Sequence, residues 1–193
     1  MKGKILGFEE ISEYKNHLIK AIDSISVDKI KYIVQEILST RMTQNNIFIA
    51  GNGGSASIAS HFATDFMFGS KLVNPGLKVI SLVENASILT ATGNDLSFAD
   101  IFSRQLNILG KNGDLLILIS SSGNSSNILN CIEVCKEIGI KTIGLSGFDG
   151  GLLSQKVDLS LHISTEIGMY GVVEDTHMIV GHIITQLLRN KIS

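Results

Sequence analysis

The chain has 193 residues, 18% of them charged and 44% hydrophobic, and its formal net charge is −2 at pH 7. This length suits one domain with a large apolar core. A slightly acidic chain lacks the basic face that nucleic-acid binding requires, which excludes nucleic acid as the main partner. No apolar run is long enough to cross a membrane, and residues 1–10 lack the apolar stretch of a signal peptide. We therefore expect a cytoplasmic protein that does not bind membranes.

The first 44 residues predict a helical hairpin. Positions at spacings of three and four, from Phe8 to Ile25, are apolar with the exception of Lys15. A second pattern of this kind covers residues 30–42, and Ser26 is placed to cap its helix.

From residue 46 onward, short apolar segments alternate with longer helical ones. The predicted strands are 47–50, 79–82, 115–119, 142–145 and 159–163, and the predicted helices are 55–69, 86–109, 125–138 and 171–190. This alternation predicts an α/β fold, a doubly wound three-layer αβα sandwich with about five parallel strands. We expect a single domain over residues 1–193, with helices in 1–44 and the sheet core and closing helix in 46–193. Two cysteines in the third predicted helix, Cys131 and Cys135, are expected to be buried thiols.

A glycine-rich loop follows the first predicted strand, and ligands of such sheets bind at these strand ends. Its sequence, Gly51-Asn52-Gly53-Gly54-Ser55-Ala56, matches the G-x-G-x-x-A pattern of dinucleotide-binding proteins. That pattern also needs an acidic residue about 20 positions further on, whereas the nearest candidate, Glu84, comes later. A dinucleotide-dependent oxidoreductase is therefore the weaker interpretation. A loop whose backbone approaches a polar ligand closely is the stronger one.

A serine-rich loop, Ser120-Ser121-Ser122-Gly123-Asn124-Ser125, follows the third predicted strand and precedes a helix. Hydroxyl groups and a helix N-terminus together favour an anion. The loop contains no lysine or arginine, and the chain has no phosphate-binding P-loop, which argues against a nucleoside triphosphate. A single phosphate ester, held by hydroxyls and amides, fits better.

Two histidine–carboxylate pairs are the candidate reactive groups. His61 and Asp65 are four residues apart on the helix after the glycine loop and therefore share a face. Glu174 and His182 are eight residues apart on the last helix, so both could lean toward one cleft. The two pairs could hold a divalent metal as a His₂/carboxylate site, or they could supply an acid and a base.

In this order the motifs resemble the SIS (sugar isomerase) domain, and within it the phosphoheptose isomerases. The stretches that carry the resemblance are 51–55, 61–65, 89–95, 102–106, 119–125 and 174–182. The resemblance implies isomerisation of D-sedoheptulose 7-phosphate to D-glycero-D-manno-heptose 7-phosphate, an early step of bacterial heptose (lipopolysaccharide or capsule) biosynthesis. It also implies a cytoplasmic homotetramer with active sites at subunit interfaces, and a divalent metal of the zinc type.

The resemblance also implies roles for individual residues. The implied substrate contacts are Asn52, Gly53, Ser55, Asn94, Asp95, Ser120, Ser121, Ser122, Ser125 and Glu174. The implied metal ligands are His61, Asp65, Glu174 and His182. Asp65 would act as the base and His182 as the acid, with Glu174 as a further catalytic group.

The chain departs from the family pattern at two of these positions. The family usually has Glu where this chain has Asp65, and Gln where it has Glu174. Aspartate reaches roughly 1.5 Å less far than glutamate, one C–C bond length. The base could therefore have moved to Glu174, or the substrate could be a different phosphosugar. A further alternative is a non-enzymatic SIS protein that binds a phosphosugar or the bacterial replication initiator protein; the two histidines and two carboxylates argue against it.

Overall fold

A computed structural model describes residues 8–190. Residues 1–7 and 191–193, which the predicted hairpin and single domain include, lie outside that range. The N-terminal hairpin consists of α1 (Phe8–Asp23) and α2 (Val27–Met42). Ser26 caps α2, because its hydroxyl accepts a hydrogen bond from the Lys29 amide at 3.4 Å. Both helices pack on the last helix of the chain.

The sheet has five parallel strands, as the alternating pattern predicts. They are β1 (Asn46–Gly51), β2 (Lys78–Ser81), β3 (Leu115–Ser120), β4 (Lys141–Ser146) and β5 (Leu159–His162). Their order across the sheet is β2-β1-β3-β4-β5. The residues of β3 are all buried, because helices cover both faces of the sheet.

The helices that follow α2 are α3 (Gly54–Thr64), α4 (Ala86–Asp95), α5 (Ser103–Leu109), α6 (Ser126–Ile138), α7 (Leu153–Lys156) and α8 (Tyr170–Arg189). A π-helical turn, Asp65–Gly69, continues α3. The stretch 86–109, predicted as one helical segment, is broken after α4. There Ser97 accepts a hydrogen bond from the Ala99 amide at 3.1 Å and starts a short 3₁₀ turn. Serine often competes for backbone groups in this way.

Helices lie on both faces of the sheet, as a doubly wound fold requires. On one face α2, α3 and α8 pack against Ile47 and Ile49 of β1. On the other face α5 and α6 pack against Phe48 and Ala50, and the buried thiols of Cys131 and Cys135 belong to this second core as predicted. Within the described residues, no helix is both long and apolar enough to cross a membrane.

The chain leaves β1 toward one edge of the sheet and leaves β3 toward the other, so the topology switches between these two neighbours. A crevice opens at such a switch point, outside the carboxyl ends of the strands. Gly51 and Ser120 end these two strands. The glycine loop and the serine loop of the sequence therefore lie side by side.

Candidate active site

A cavity of about 140 Å³ lies at the switch point and joins the two loops. Its lining residues are Asn52, Ser55, Ile119, Ser120, Ser121, Ser122, Ser125, Tyr170 and Glu174. Seven of the residues that the sequence analysis assigns to substrate binding are therefore brought together. Tyr170 is a lining residue that the sequence analysis missed, because a tyrosine between a predicted strand and a predicted helix carries no distinctive local signal. We call this space the serine pocket.

The serine pocket is built to receive an anion. Ser121 is 5% exposed, and within the described residues its hydroxyl oxygen has no hydrogen-bond partner. Ser125 stands at the N-terminus of the 13-residue helix α6, where unpaired amides favour negative charge. Gly123 has a φ of +65° and leaves no room for a side chain, because a Cβ would collide with the Gly150 carbonyl. A buried hydroxyl without a partner is costly, and a ligand oxygen would satisfy it.

Asn52 lies in the serine pocket, but its side chain is held by another amide. The Asn52 Nδ2 donates to Asn127 Oδ1 at 2.8 Å, and the Asn127 Nδ2 donates to Asn52 Oδ1 at 2.9 Å. Asn127 is 1% exposed and belongs to α6. Sequence analysis missed Asn127, although a polar residue on the apolar face of a helix is the kind of signal that could have found it.

Glu174 lines the serine pocket from α8 and lies directly against Gly54, the first residue of α3. A Cβ on Gly54 would collide with the Glu174 carboxylate, so glycine alone permits this contact. Burial raises the pKa of the Glu174 carboxyl, and the adjacent Asp175 carboxylate raises that pKa further.

A second group of reactive side chains lies farther along the same two helices. The Nε2 atoms of His61 and His182 are 3.0 Å apart, and Asp65 Oδ2 lies 3.5 and 3.8 Å from them, respectively. Metal–ligand distances of 2.0–2.1 Å place tetrahedral ligands about 3.3 Å apart, so these three atoms fit one divalent cation. Two imidazoles and one carboxylate leave a fourth position open, as in catalytic zinc sites. We call this group the His–Asp–His cluster.

Glu174 does not lie in the His–Asp–His cluster, so a single copy of the chain brings together three of the four expected metal ligands. Helices α3 and α8 run side by side in the same direction, as three contacts show: Gly54 with Glu174, Phe62 with Gly181, and Gly69 with Thr185. Glu174 therefore lies at the start of this helix pair and His182 lies eight residues later, a rise of about 12 Å. Within one copy the two side chains therefore lie at different heights, because a rotation that aligns two side chains on a helix does not bring them to the same height. That both face one cleft stays a prediction.

Three of the residues assigned to substrate binding lie outside the serine pocket. Asn94 and Asp95 are exposed at the end of α4, where Asn94 Nδ2 donates to Asp95 Oδ1 at 2.7 Å. Gly53 precedes α3 with a φ of +54° and faces an adjoining apolar cavity. In one copy of the chain, none of the three contacts the cavity that the serines form.

The fold and the serine pocket define an SIS domain, and the model of the SIS domain family matches residues 12–147. A phosphoheptose isomerase of Aliarcobacter butzleri is 36% identical over 195 residues and covers 100% of both chains. One of Aneurinibacillus thermoaerophilus is 39% identical over 163 residues, which is 84% of this chain and 81% of the relative.

Solved structures agree with these relatives. A phosphoheptose isomerase of Francisella tularensis superposes with a TM-score of 0.88 at 26% identity, over 96% of this chain and 100% of the other. One of Neisseria gonorrhoeae superposes with a TM-score of 0.84 at 28% identity, over 94% and 98% of the two chains. The chain belongs to the phosphoheptose isomerases of the SIS domain family.

Proposed function

We propose that this protein is an aldose–ketose isomerase that converts D-sedoheptulose 7-phosphate into D-glycero-D-manno-heptose 7-phosphate in the cytoplasm, early in bacterial heptose biosynthesis. The observation that carries the proposal is the serine pocket, where the buried hydroxyl of Ser121 has no partner among residues 8–190 and lies beside a half-buried carboxylate. The curated relatives named phosphoheptose isomerase support the substrate.

The reaction moves a proton between two adjacent carbons through an enediol. Asp65 is the base that takes the proton from carbon, and His182 exchanges a proton with the neighbouring oxygen. The two side chains already lie together, with His182 Nε2 3.8 Å from Asp65 Oδ2. Serine hydroxyls and the α6 amides hold the phosphate, and Glu174 contacts the sugar beside them. The fixed phosphate keeps the reacting carbons in place during proton transfer.

The His–Asp–His cluster would hold the divalent metal, which we assign as zinc because two imidazoles and a carboxylate are ligands that zinc accepts. A bound cation would polarise the sugar oxygens. Metal binding would require the ligating nitrogens of His61 and His182 to be unprotonated.

We further propose that the active site forms between copies of a homotetramer. Within one copy, about 12 Å of helix separates Glu174 from the His–Asp–His cluster. Next to that cluster, Met67 and Phe68 are 47% and 85% exposed, which is unusual for large apolar side chains beside a polar site. A second copy that covers Met67 and Phe68 could bring its own Glu174 and serine pocket to the cluster.

Mixed tetramers test this arrangement. Asp65→Ala and Glu174→Ala are each expected to abolish most turnover of sedoheptulose 7-phosphate. Co-expression of the two variants with different affinity tags should restore activity in the hybrid, because some interfaces then combine an intact Asp65 with an intact Glu174. If hybrids stay inactive, both residues act within one copy, and if both single variants keep full turnover, the proposed isomerase function is wrong.

The two departures from the family pattern, Asp65 and Glu174, favour one second candidate: an isomerase for another phosphosugar. Turnover of pentose, hexose and heptose phosphates at equal concentrations distinguishes the candidates. We expect the highest kcat/KM with sedoheptulose 7-phosphate. A higher value with another sugar phosphate would reassign the substrate and leave the chemistry unchanged.

A further inference from the structure

Tyr170 is the aromatic side chain among the described residues that line the serine pocket. It is the first residue of α8, and it is 55% exposed. Glu174 lies one helical turn further along α8, so the two side chains stand on the same side of the helix at the pocket. The phenol ring is thus presented to both the cavity and its mouth.

Phe148 holds the ring of Tyr170 in this position. Their ring centroids are 4.9 Å apart and the ring planes meet at 84°, an edge-to-face arrangement. Phe148 is 4% exposed and follows β4, where its backbone has a φ of +50°. A bulky residue rarely adopts this conformation, and strain of this kind is found preferentially at functional sites. This backbone conformation places the buried phenyl ring of Phe148 against Tyr170.

The loop of Phe148 also touches the serine loop. The Gly147 amide donates to the Ser121 carbonyl at 3.0 Å, and a Cβ on Gly147 would collide with the side chain of Val173 in α8. The position of Phe148 is therefore set by the loop that binds the anion and by the helix that carries Tyr170. The aromatic pair and the anion site form one connected unit.

We propose that Tyr170 is a specificity-determining residue whose ring covers the carbon chain of the bound sugar phosphate, and that Phe148 is its positioning residue. This inference rests on the proposed function, because it takes the phosphate to lie against the serine hydroxyls. A cavity of about 140 Å³ holds the phosphate end, and the carbon chain leaves it past Tyr170 and Glu174. The ring then excludes water from the sugar. It contributes to the affinity for the carbon chain of the substrate and not to the affinity for its phosphate group.

The test compares two ligands that share a phosphate. For Tyr170→Ala we expect KM for sedoheptulose 7-phosphate to rise about tenfold, the upper range of an aromatic contact, while the Ki of inorganic phosphate stays within about twofold. Tyr170→Phe keeps the ring and should keep KM within about threefold of the wild-type value. Tyr32→Ala, which removes a surface tyrosine of similar exposure on α2, is the matched control.

Three other outcomes would overturn the proposal or the function on which it rests. An equal rise in both constants for Tyr170→Ala would mean that the serine loop is disturbed, which overturns the proposal. An equal loss in Tyr170→Phe and Tyr170→Ala would overturn the role of the ring. If wild-type protein binds neither ligand, the proposed function itself fails.

Phe148 is tested separately with variants that suit its backbone. Phe148→Gly accepts the positive φ but lacks the ring, and should raise KM for the sugar phosphate without changing the Ki of inorganic phosphate. Phe148→Tyr keeps a ring and should restore KM. If Phe148→Gly lowers thermal stability while KM stays at the wild-type value, Phe148 has a structural role only.

Discussion

Asn52 and Asn127 hold each other through two reciprocal amide hydrogen bonds, of 2.8 and 2.9 Å. Asn52 lies in the glycine loop after β1, and Asn127 lies in α6 after the serine loop. The pair therefore links the two loops that surround the serine pocket. An amide–amide pair satisfies one donor and one acceptor on each side chain, which makes it a specific link rather than a general contact.

Asn127→Ala is expected to loosen the glycine loop and raise KM for the sugar phosphate about tenfold, because Asn52 loses both of its bonds. Asn52→Ala should have a similar effect. If the residues act together, the double variant will be no worse than either single one, which a double-mutant cycle in KM measures. Additive effects in that cycle would show that the two amides act independently.

Ser121→Ala is expected to weaken binding of inorganic phosphate and of the sugar phosphate without lowering the melting temperature. The reason is that the Ser121 hydroxyl makes no hydrogen bond within the described protein, so its loss removes a ligand contact and no internal one. Ser81→Ala is the matched control, since Ser81 also carries a buried hydroxyl without a described partner, at the end of β2. Calorimetric titration with phosphate measures both variants. A wild-type affinity in Ser121→Ala would remove this hydroxyl from the anion site.

Metal removal is expected to stop turnover and lower the melting temperature, and one equivalent of Zn²⁺ per chain should restore both. His61→Ala should lose the metal, because the substitution removes one of the three clustered ligands. His17→Ala, a histidine of α1 outside the cluster, is the control.

Glu174→Gln extends the metal test to the pocket carboxylate. It should retain one metal per chain, because it leaves the three clustered ligands His61, Asp65 and His182 intact. Metal content by mass spectrometry after dialysis gives the result. Equal metal loss in His61→Ala and Glu174→Gln would mean that a carboxylate of the serine pocket is a ligand after all.

His177 makes the stability of the protein sensitive to acid. It is fully buried in α8, its Nε2 lies 3.3 Å from the Ser146 carbonyl, and burial lowers its pKa from 6.5 to about 4. The unfolded chain therefore binds a proton at a pH where the folded protein does not. The resulting loss in the free energy of unfolding is absent well above pH 6.5 and grows as the pH falls toward 4. It then levels off at roughly 3 kcal/mol.

The variant His177→Gln should flatten the pH dependence of the free energy of unfolding between pH 6.5 and 4. Urea titrations at several pH values measure it, with His17→Gln as the control for a histidine of α1. A lower absolute stability of the variant would not change this comparison, because the measured quantity is the slope of the free energy of unfolding against pH. An unchanged slope in His177→Gln would assign the acid sensitivity to other groups.

The sequence alone was sufficient for those features that local patterns encode. The apolar runs predicted the five parallel strands, and Ser26 was identified as a cap from its position before an amphipathic helix. The rule that ligands bind at the carboxyl ends of parallel strands identified the glycine and serine loops as candidate ligand-binding loops. In each case neighbouring residues in the chain carry the information, and burial of a fully covered sheet follows from their apolarity.

The tertiary structure decided which side chains meet across long sequence distances. Periodicity gives the direction of His182 and Glu174 around α8, but it cannot give the height at which each meets α3. That height is set by close packing at Gly54 and Gly181, where any side chain would collide with its neighbour. The packing places His182 beside His61 and leaves Glu174 in the serine pocket.

The same reason explains Asn127 and Tyr170. Neither belongs to a motif, and each acquires its place from a contact with a distant residue, Asn52 for one and Phe148 for the other. Local sequence therefore determined the sheet, the loops and the types of reactive group. The packing of helices in space determined how those groups are divided between the serine pocket and the His–Asp–His cluster.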